Sequence, residues 1–242
     1  MKDWIYGFFM AWGMFLAVPC PLKIWNEKAR GKMICCLPLV GFVVGGIWVL
    51  AAYAGRFLPR SVAGLLIAAA PWLTTGFLHL DGFMDVCDAV LSRRDLPQRQ
   101  EILKDSHCGA FAVISMVLLA LSQWSVAMAG ESVPLLPLLA VPVVSRACAA
   151  LAVLTLRPLD SSQYSAMQRG GGPVWFAAVC LALSAVLPLL LAGSFAPAMT
   201  AVGCALAVWY GYRQLDGMSG DVSGFALTVG ELWGVLTLAV WR

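Results

Sequence analysis

The sequence predicts an all-α fold: a polytopic transmembrane helical bundle of about six to seven spans, with a short N-terminal interfacial or re-entrant helix. Three observations predict it. Apolar residues make up 61% of the 242 positions, and the mean hydropathy is +0.83. Charged residues are only 12%, about half of the roughly 25% found in soluble domains. The apolar residues also fall in runs of about 20, the length that crosses a bilayer as a helix. A soluble globular enzyme, a disordered tail and a nucleic-acid module are excluded together. The net charge of +3 is too small and too dispersed for a polyanion-binding surface, so no nucleic-acid partner is expected.

The elements follow in chain order. Trp4 to Val18 is apolar but short for a span, and Pro19-Cys20-Pro21 and a basic stretch follow it instead of a small-residue cleavage site. An interfacial or re-entrant helix is expected there. Spans are expected over about 34–54, 61–78, 110–129, 134–156, 173–193 and 195–212, with a seventh over about 222–240 that Glu231 interrupts. Pro71 in the second, and Pro134, Pro137 and Pro142 in the fourth, predict bends. No strict internal repeat is visible, so residues 1–242 read as one domain. Eight cysteines without a CxxC pair lie mostly in apolar runs, where a thiol acts as a small hydrophobe; this usage suits a reducing compartment.

Basic residues orient the bundle. Lys23, Lys28, Arg30 and Lys32 precede the first span, and Arg93, Arg94, Arg99 and Lys104 follow the second. With four crossings between 110 and 212, Arg157, Arg169 and Arg213 share their side, while Arg56, Arg60 and Arg242 face the other. The positive-inside rule makes the basic side cytoplasmic.

The scarce charge is unevenly placed. Between His79 and His107 lie ten of the chain's 29 charged residues, bounded by its two histidines. The first part reads His79-Leu80-Asp81-Gly82-Phe83-Met84-Asp85-Val86-Cys87-Asp88. At about 100° per residue, Asp81, Asp85 and Asp88 project within about 60° of one another on a helix. Like charges so arranged repel, and the stripe calls for a cation. Hard oxygen donors without thiolates suit Mg²⁺ or Mn²⁺, with phosphate oxygens completing the shell. The alternative is a solvated face paired with nearby arginines. The second part, Glu101 to Ala110, supplies Lys104 as a cation for phosphate, Asp105 as a further ligand, Ser106 beside them, and Gly109 for close backbone approach.

Three more positions stand out. Arg146 sits within the fourth apolar run and must face the interior; it either holds a substrate phosphate or pairs with Glu231. Ser219-Gly220-Asp221 opens the last helix after a glycine-rich turn. Backbone N–H groups at Gly220 could approach an anion, and Asp221 either caps the helix or ligates metal. Carboxylates, basic groups and a glycine turn on one membrane face suit phosphoryl transfer from a diphosphate.

The run Thr74-Thr75-Gly76-Phe77-Leu78-His79-Leu80-Asp81-Gly82-Phe83-Met84-Asp85-Val86-Cys87-Asp88 resembles the signature of the cobalamin synthase (adenosylcobinamide-GDP ribazoletransferase) family. Ile102-Leu103-Lys104-Asp105-Ser106 with Gly109, and Ser219-Gly220-Asp221 with Gly224 and Glu231, resemble its other blocks, as do Pro19-Cys20-Pro21 and Leu37-Pro38-Leu39-Val40-Gly41. The likeness runs in order along nearly the whole chain. Ala89 and Ala112 stand where the family usually has Gly, Ser219 replaces a usual Thr, and 157–172 matches poorly. The resemblance implies a Mg²⁺-dependent reaction joining adenosylcobinamide-GDP to α-ribazole or its 5′-phosphate, with release of GMP. It implies a bacterial or archaeal cell (inner) membrane, with the site on the cytoplasmic face. Asp81, Asp85, Asp88 and Asp105 would hold the metal, while Lys104, Arg93, Arg94 and Arg146 neutralise phosphate oxygens. Ser106, Gly109, Gly220, Asp221 and Glu231 would line the substrates. His79 is a candidate general base; the alternatives are an aspartate in that role and a His79 that is only structural, packed or fixed in one tautomer. The bilayer is the expected surrounding, and a homo-oligomer remains open.

Two rivals are weaker. A CDP-alcohol phosphotransferase shares the loose pattern Asp85, Asp88, Ala89, Ser92, Arg93, but Ile102 stands where its second half needs Gly and Ser106 where it needs Asp. A transporter would carry ionisable groups near mid-membrane in several spans, and only Arg146 and Glu231 do so.

Overall fold

The computed structural model describes residues 2–129, 134–160, 162, 164 and 171–240, with the backbone alone at 171–173. Arg169 and Arg242, used above for orientation, lie outside the described residues, as does half of the poorly matching stretch 157–172. Helices dominate the described chain, and its one β-type pairing is an isolated bridge between Pro158 and Met218. The helices are α1 (Lys2–Phe15), α2 (Arg30–Cys35), α3 (Leu37–Gly55), α4 (Arg60–Thr74), α5 (Leu78–Leu91) and α6 (Leu96–Ile102). After them come α7 (Ala110–Ala129), α8 (Leu135–Thr155), α9 (Gly171–Ala192), α10 (Ala196–Leu215) and α11 (Gly220–Val240).

Among the described residues, five helices (α3, α7, α8, α9 and α11) have the length and apolarity to cross a membrane, and α4 with α5 reaches that length only as a sharply bent pair, a broken span or a re-entrant loop. The chain is thus an integral membrane protein of all-α architecture. Helix α10 also forms over 20 residues, about 30 Å at 1.5 Å per residue, although its apolarity falls short of the others. Helix α1, at 14 residues, is about 21 Å long and too short to span. Its exit is tied to the bundle by Ala17 N–H donating to Thr74 O at 2.9 Å.

The second expected span is where the structure departs from expectation. The run 61–78 does not continue as one helix: α4 stops at Thr74, and α5 leaves at 92°. Pro71 sits inside α4 and is not the break. The turn is made by two consecutive left-handed residues, Gly76 (φ 58°) and Phe77 (φ 64°). Glycine takes this conformation freely, while a bulky side chain pays strain of about 1 kcal/mol or more. Phe77→Gly is therefore expected to keep the break and leave thermal stability unchanged or higher. Phe77→Val, β-branched at a positive φ, is expected to lower it; thermal melts in detergent check both.

Helix α8 is the most enclosed of the spans, and α7 and α9 are the most exposed. The apolar outer faces of α7 and α9 are what a lipid-facing helix presents. Helix α11 packs against α10, α5, α8 and α7, and α5 is held between α11 and α7. The polar connections gather at one end. There Arg99 bonds the side chain of Gln214, Gln100 Nε2 donates to Leu215 O at 2.8 Å, and Arg157 pairs with Asp216 at 2.8 Å. Backbone bonds Leu159 N to Met218 O and Met218 N to Arg157 O, both 2.9 Å, complete this clasp. The loops after α5, after α8 and after α10, expected on one side, thus meet at one end of the bundle.

Candidate active site

Helix α5 carries the carboxylate stripe to that end, where α7 and α11 begin. The approach of α11 is close because position 82 is glycine: a Cβ there would lie 2.8 Å from Asp221 Cα, a distance side chains do not tolerate. Gly109 does the same for α7, since a Cβ on it would overlap the Asp88 carboxylate. Gly109 therefore makes room for a protein carboxylate. Asp88 Oδ1 also accepts from Ala112 N–H at 3.4 Å. Gly109→Ala is expected to push Asp88 out of the stripe and lower activity about tenfold or more with the helical signal retained; activity and circular dichroism on one preparation test it.

Asp221 joins the stripe from the opposite side. The cap of α11 is Ser219: its Oγ accepts from Val222 N–H at 3.2 Å, and its carbonyl accepts from Ser223 N–H at 3.1 Å. Asp221 is thus not the cap. Its Oδ2 accepts from Ser219 Oγ at 3.2 Å, and its charge acts on Asp85 together with those of Asp81 and Asp88. Asp81 is exposed, while Asp85, Asp88 and Asp221 are half-buried. Among the described residues none of the four has a cationic side-chain partner. Half-buried carboxylates without a counter-charge are costly, and a divalent cation relieves that cost. Among the described residues no three His, Cys, Asp or Glu side chains come close enough together to hold a metal ion by themselves. In donor chemistry the acids suit a hard cation that takes much of its shell from ligand oxygens, as Mg²⁺ does.

Other expected residues lie around this centre. Arg93 (φ 55°) and Arg94 end the α5 turn, both exposed. Arg94, Gln98, Glu101, Ile102 and Asp105 line a cleft of about 370 Å³ beside it. Lys104 and Ser106 are exposed in the loop leading to α7, and Gly220 opens α11. Asp105 stands apart from the stripe, with its carboxylate taken by His107 Nδ1 at 2.6 Å and by His107 N–H at 3.0 Å. These bonds hold the Asp105 carboxyl below its usual range and raise the His107 imidazole. The pair is in place from the lowered Asp105 value up to the raised His107 value. Within that range its histidine side is complete below about pH 6.5, the ordinary histidine value, and is lost as pH rises through the raised one, while the pair is lost at the acid end as pH falls through the lowered Asp105 value. NMR titration of the His107 ring is expected to report that raised value, and Asp105→Asn to return it to the ordinary one.

Two expectations change. Arg146 and Glu231 do not face the stripe: they pair with each other at 2.5 Å inside the bundle, 1% and 3% exposed. Ser145 Oγ donates to the same Glu231 oxygen at 2.9 Å, and Arg146 Nη1 donates to Pro142 O at 3.2 Å. A charge matched so closely is not spare for a phosphate. His79 also points inward, at least about 120° round α5 from the three acids by helix geometry. Its ring stacks on Phe15 with centroids 6.2 Å apart, and its Nε2 is buried. A packed imidazole turned from the acids is poorly placed to take a proton there. Sequence reasoning placed Asp221 among the substrate contacts and left its metal role open; the bare signal for a fourth acid was its place just after a Ser-Gly helix start.

A family model described as cobalamin-5-phosphate synthase matches residues 7–239. The chain is 34% identical to an adenosylcobinamide-GDP ribazoletransferase of Clostridium botulinum (strain Alaska E43 / Type E3), with 100% of both chains covered. It is 31% identical to that of Clostridium perfringens (strain 13 / Type A), covering 99% of this chain and 100% of the relative. With that of Geobacillus kaustophilus (strain HTA426) it shares 33% identity, covering 98% and 97%. No solved structure matches it. Matched along almost its whole length, with the acids of the stripe inside the matched region, the chain belongs to the cobalamin-5-phosphate synthase family.

Proposed function

We propose that this protein is a membrane-bound, Mg²⁺-dependent phosphotransferase. It joins adenosylcobinamide-GDP to α-ribazole, or its 5′-phosphate, and releases GMP, a late step of cobalamin biosynthesis. The observation that carries the reading is the group of four carboxylates without a cationic side-chain partner among the described residues, at one end of the bundle, within a chain matched to this family over 7–239. A ribose hydroxyl oxygen of the ribazole, one left free when the 5′ position carries phosphate, bonds to the phosphorus on the corrinoid side. The bond from that phosphorus to the bridging oxygen breaks, and GMP leaves with the oxygen. Bound Mg²⁺ supplies charge neutralisation for the diphosphate. Asp81, Asp85, Asp88 and Asp221 would hold that cation, and Arg93, Arg94 and Lys104 would receive phosphate oxygens. With His79 turned inward, a carboxylate of the stripe accepts the hydroxyl proton. The basic end faces the cytoplasm of a bacterial or archaeal cell, and the bundle sits in its inner membrane.

Protein in lipid nanodiscs, given both substrates and Mg²⁺, is expected to form the cobalamin product and GMP in equal amounts. Activity should stop with a chelator and return with added Mg²⁺. Well-inserted protein that makes neither product overturns the reading. Sidedness has its own test at Cys108, which is exposed beside the site. A membrane-impermeant maleimide should label it in inverted vesicles and spare it in intact cells, with Cys108→Ser as the control.

A further inference from the structure

One face of α11 links the site to the interior. Asp221, Gly224, Thr228 and Glu231 fall within about 80° of one another, and about 15 Å of helix separates the first from the last. Each meets a different group. Asp221 lies against Gly82, and Gly224 lies against the His79 carbonyl, which a Cβ at 224 would approach to 2.9 Å. Thr228 Oγ1 donates to the same carbonyl at 3.4 Å, and Glu231 takes Arg146 and Ser145. His79 opens the acid-bearing helix, and the Arg146 charge acts on its ring. Two buried atoms in this region have no hydrogen-bond partner among the described residues: His79 Nε2 and Arg146 Nε. They are complementary, because arginine Nε always donates and a neutral imidazole nitrogen can accept. A buried water with two such partners satisfies both at little cost.

We propose that Glu231, Arg146 and His79 form a buried polar relay, closed by water between Arg146 Nε and His79 Nε2, that sets the position of the acid helix against α11. The three are positioning residues. The ion pair fixes the rotation of α11 and so the aim of Asp221. The link to His79 fixes the start of α5 and so the distance from Asp221 to Asp81 and Asp85. None of the three touches the diphosphate. The inference rests on the carboxylates being the metal site, as proposed above.

The experiment uses the full chain in nanodiscs. It measures Mn²⁺ binding by EPR titration, the Mg²⁺ dependence of turnover, and thermal unfolding. His79→Leu removes the acceptor, and His79→Gln keeps one. The double variant Arg146→Met/Glu231→Met replaces the pair by apolar groups of similar length, a change that buried pairs often tolerate. His79→Leu and the double variant are each expected to weaken Mn²⁺ binding and raise the Mg²⁺ requirement about tenfold, the usual effect of removing an orienting partner. His79→Gln should stay near wild type, and the double variant should unfold near the wild-type temperature. If His79→Leu does not fold, the double variant decides alone. Wild-type Mn²⁺ affinity in the variants that fold overturns the relay. So does loss of turnover in both His79 variants with metal affinity unchanged, which would make His79 a base. A higher requirement for the diphosphate substrate alone would place Arg146 on the substrate and also overturn it. Wild-type protein that binds no Mn²⁺ overturns the metal reading itself, and the relay falls with it.

Discussion

Asp85→Asn is expected to lower turnover by at least about 10²–10³-fold, the scale of losing one group that stabilises transition-state charge. Membrane insertion and thermal stability should stay near wild type. Asp85 is the middle member of the stripe, and the charges of Asp81, Asp88 and Asp221 all act on it. Removing one negative charge from four relieves repulsion, so the fold has nothing to lose electrostatically. What is lost is a donor for the cation, and an amide oxygen is a weaker ligand for Mg²⁺ than a carboxylate. The variant should therefore fail at ordinary Mg²⁺ and recover partly at high Mg²⁺. Asp221→Asn should show the same pattern. Asp105→Asn should show a smaller loss, because that carboxylate is engaged by His107 and stands apart from the four. Turnover across a Mg²⁺ series, with melts on the same preparations, separates these cases. Full activity of Asp85→Asn at ordinary Mg²⁺ would remove the stripe as the metal site.

The bundle and the stripe were readable because both depend on local periodicity. Apolar runs of spanning length show directly in the chain, and so does the spacing that puts Asp81, Asp85 and Asp88 on one face. The break between α4 and α5 was not. Pro71 was the visible marker, yet the turn is made at Gly76 and Phe77, and phenylalanine carries no preference for a left-handed backbone. Tertiary contacts, including the bond from Ala17 to Thr74, accompany it. The facing position of Asp221 was hidden for a related reason. It depends on the rotation of α11 about its axis and on the close approach that Gly82 permits, and neither leaves a pattern within α11 itself. Arg146 was legible as a charge that needed the interior, but its partner lies 85 residues away. Spacing along the chain could not choose between a phosphate and Glu231.

Arg146→Met alone should cost about 3–5 kcal/mol of stability, the scale for removing one partner of a buried ion pair. Glu231 would be left nearly fully enclosed, with only the Ser145 hydroxyl among its described partners. In the bilayer no water reaches it easily, and protonation is its cheapest escape. Glu231→Leu should cost a similar amount by stranding the guanidinium, which cannot shed its proton. The two losses should not add. Once both charges are gone, neither remains to be stranded, so a double-mutant cycle should give a coupling of several kcal/mol between positions 146 and 231. Thermal or denaturant unfolding of the four proteins in one detergent measures it. Additive losses would mean that each residue is held by something other than its partner. A large coupling would show that α8 and α11 are joined at this point by charge, about one turn along α11 from Thr228, which bonds the start of the acid helix.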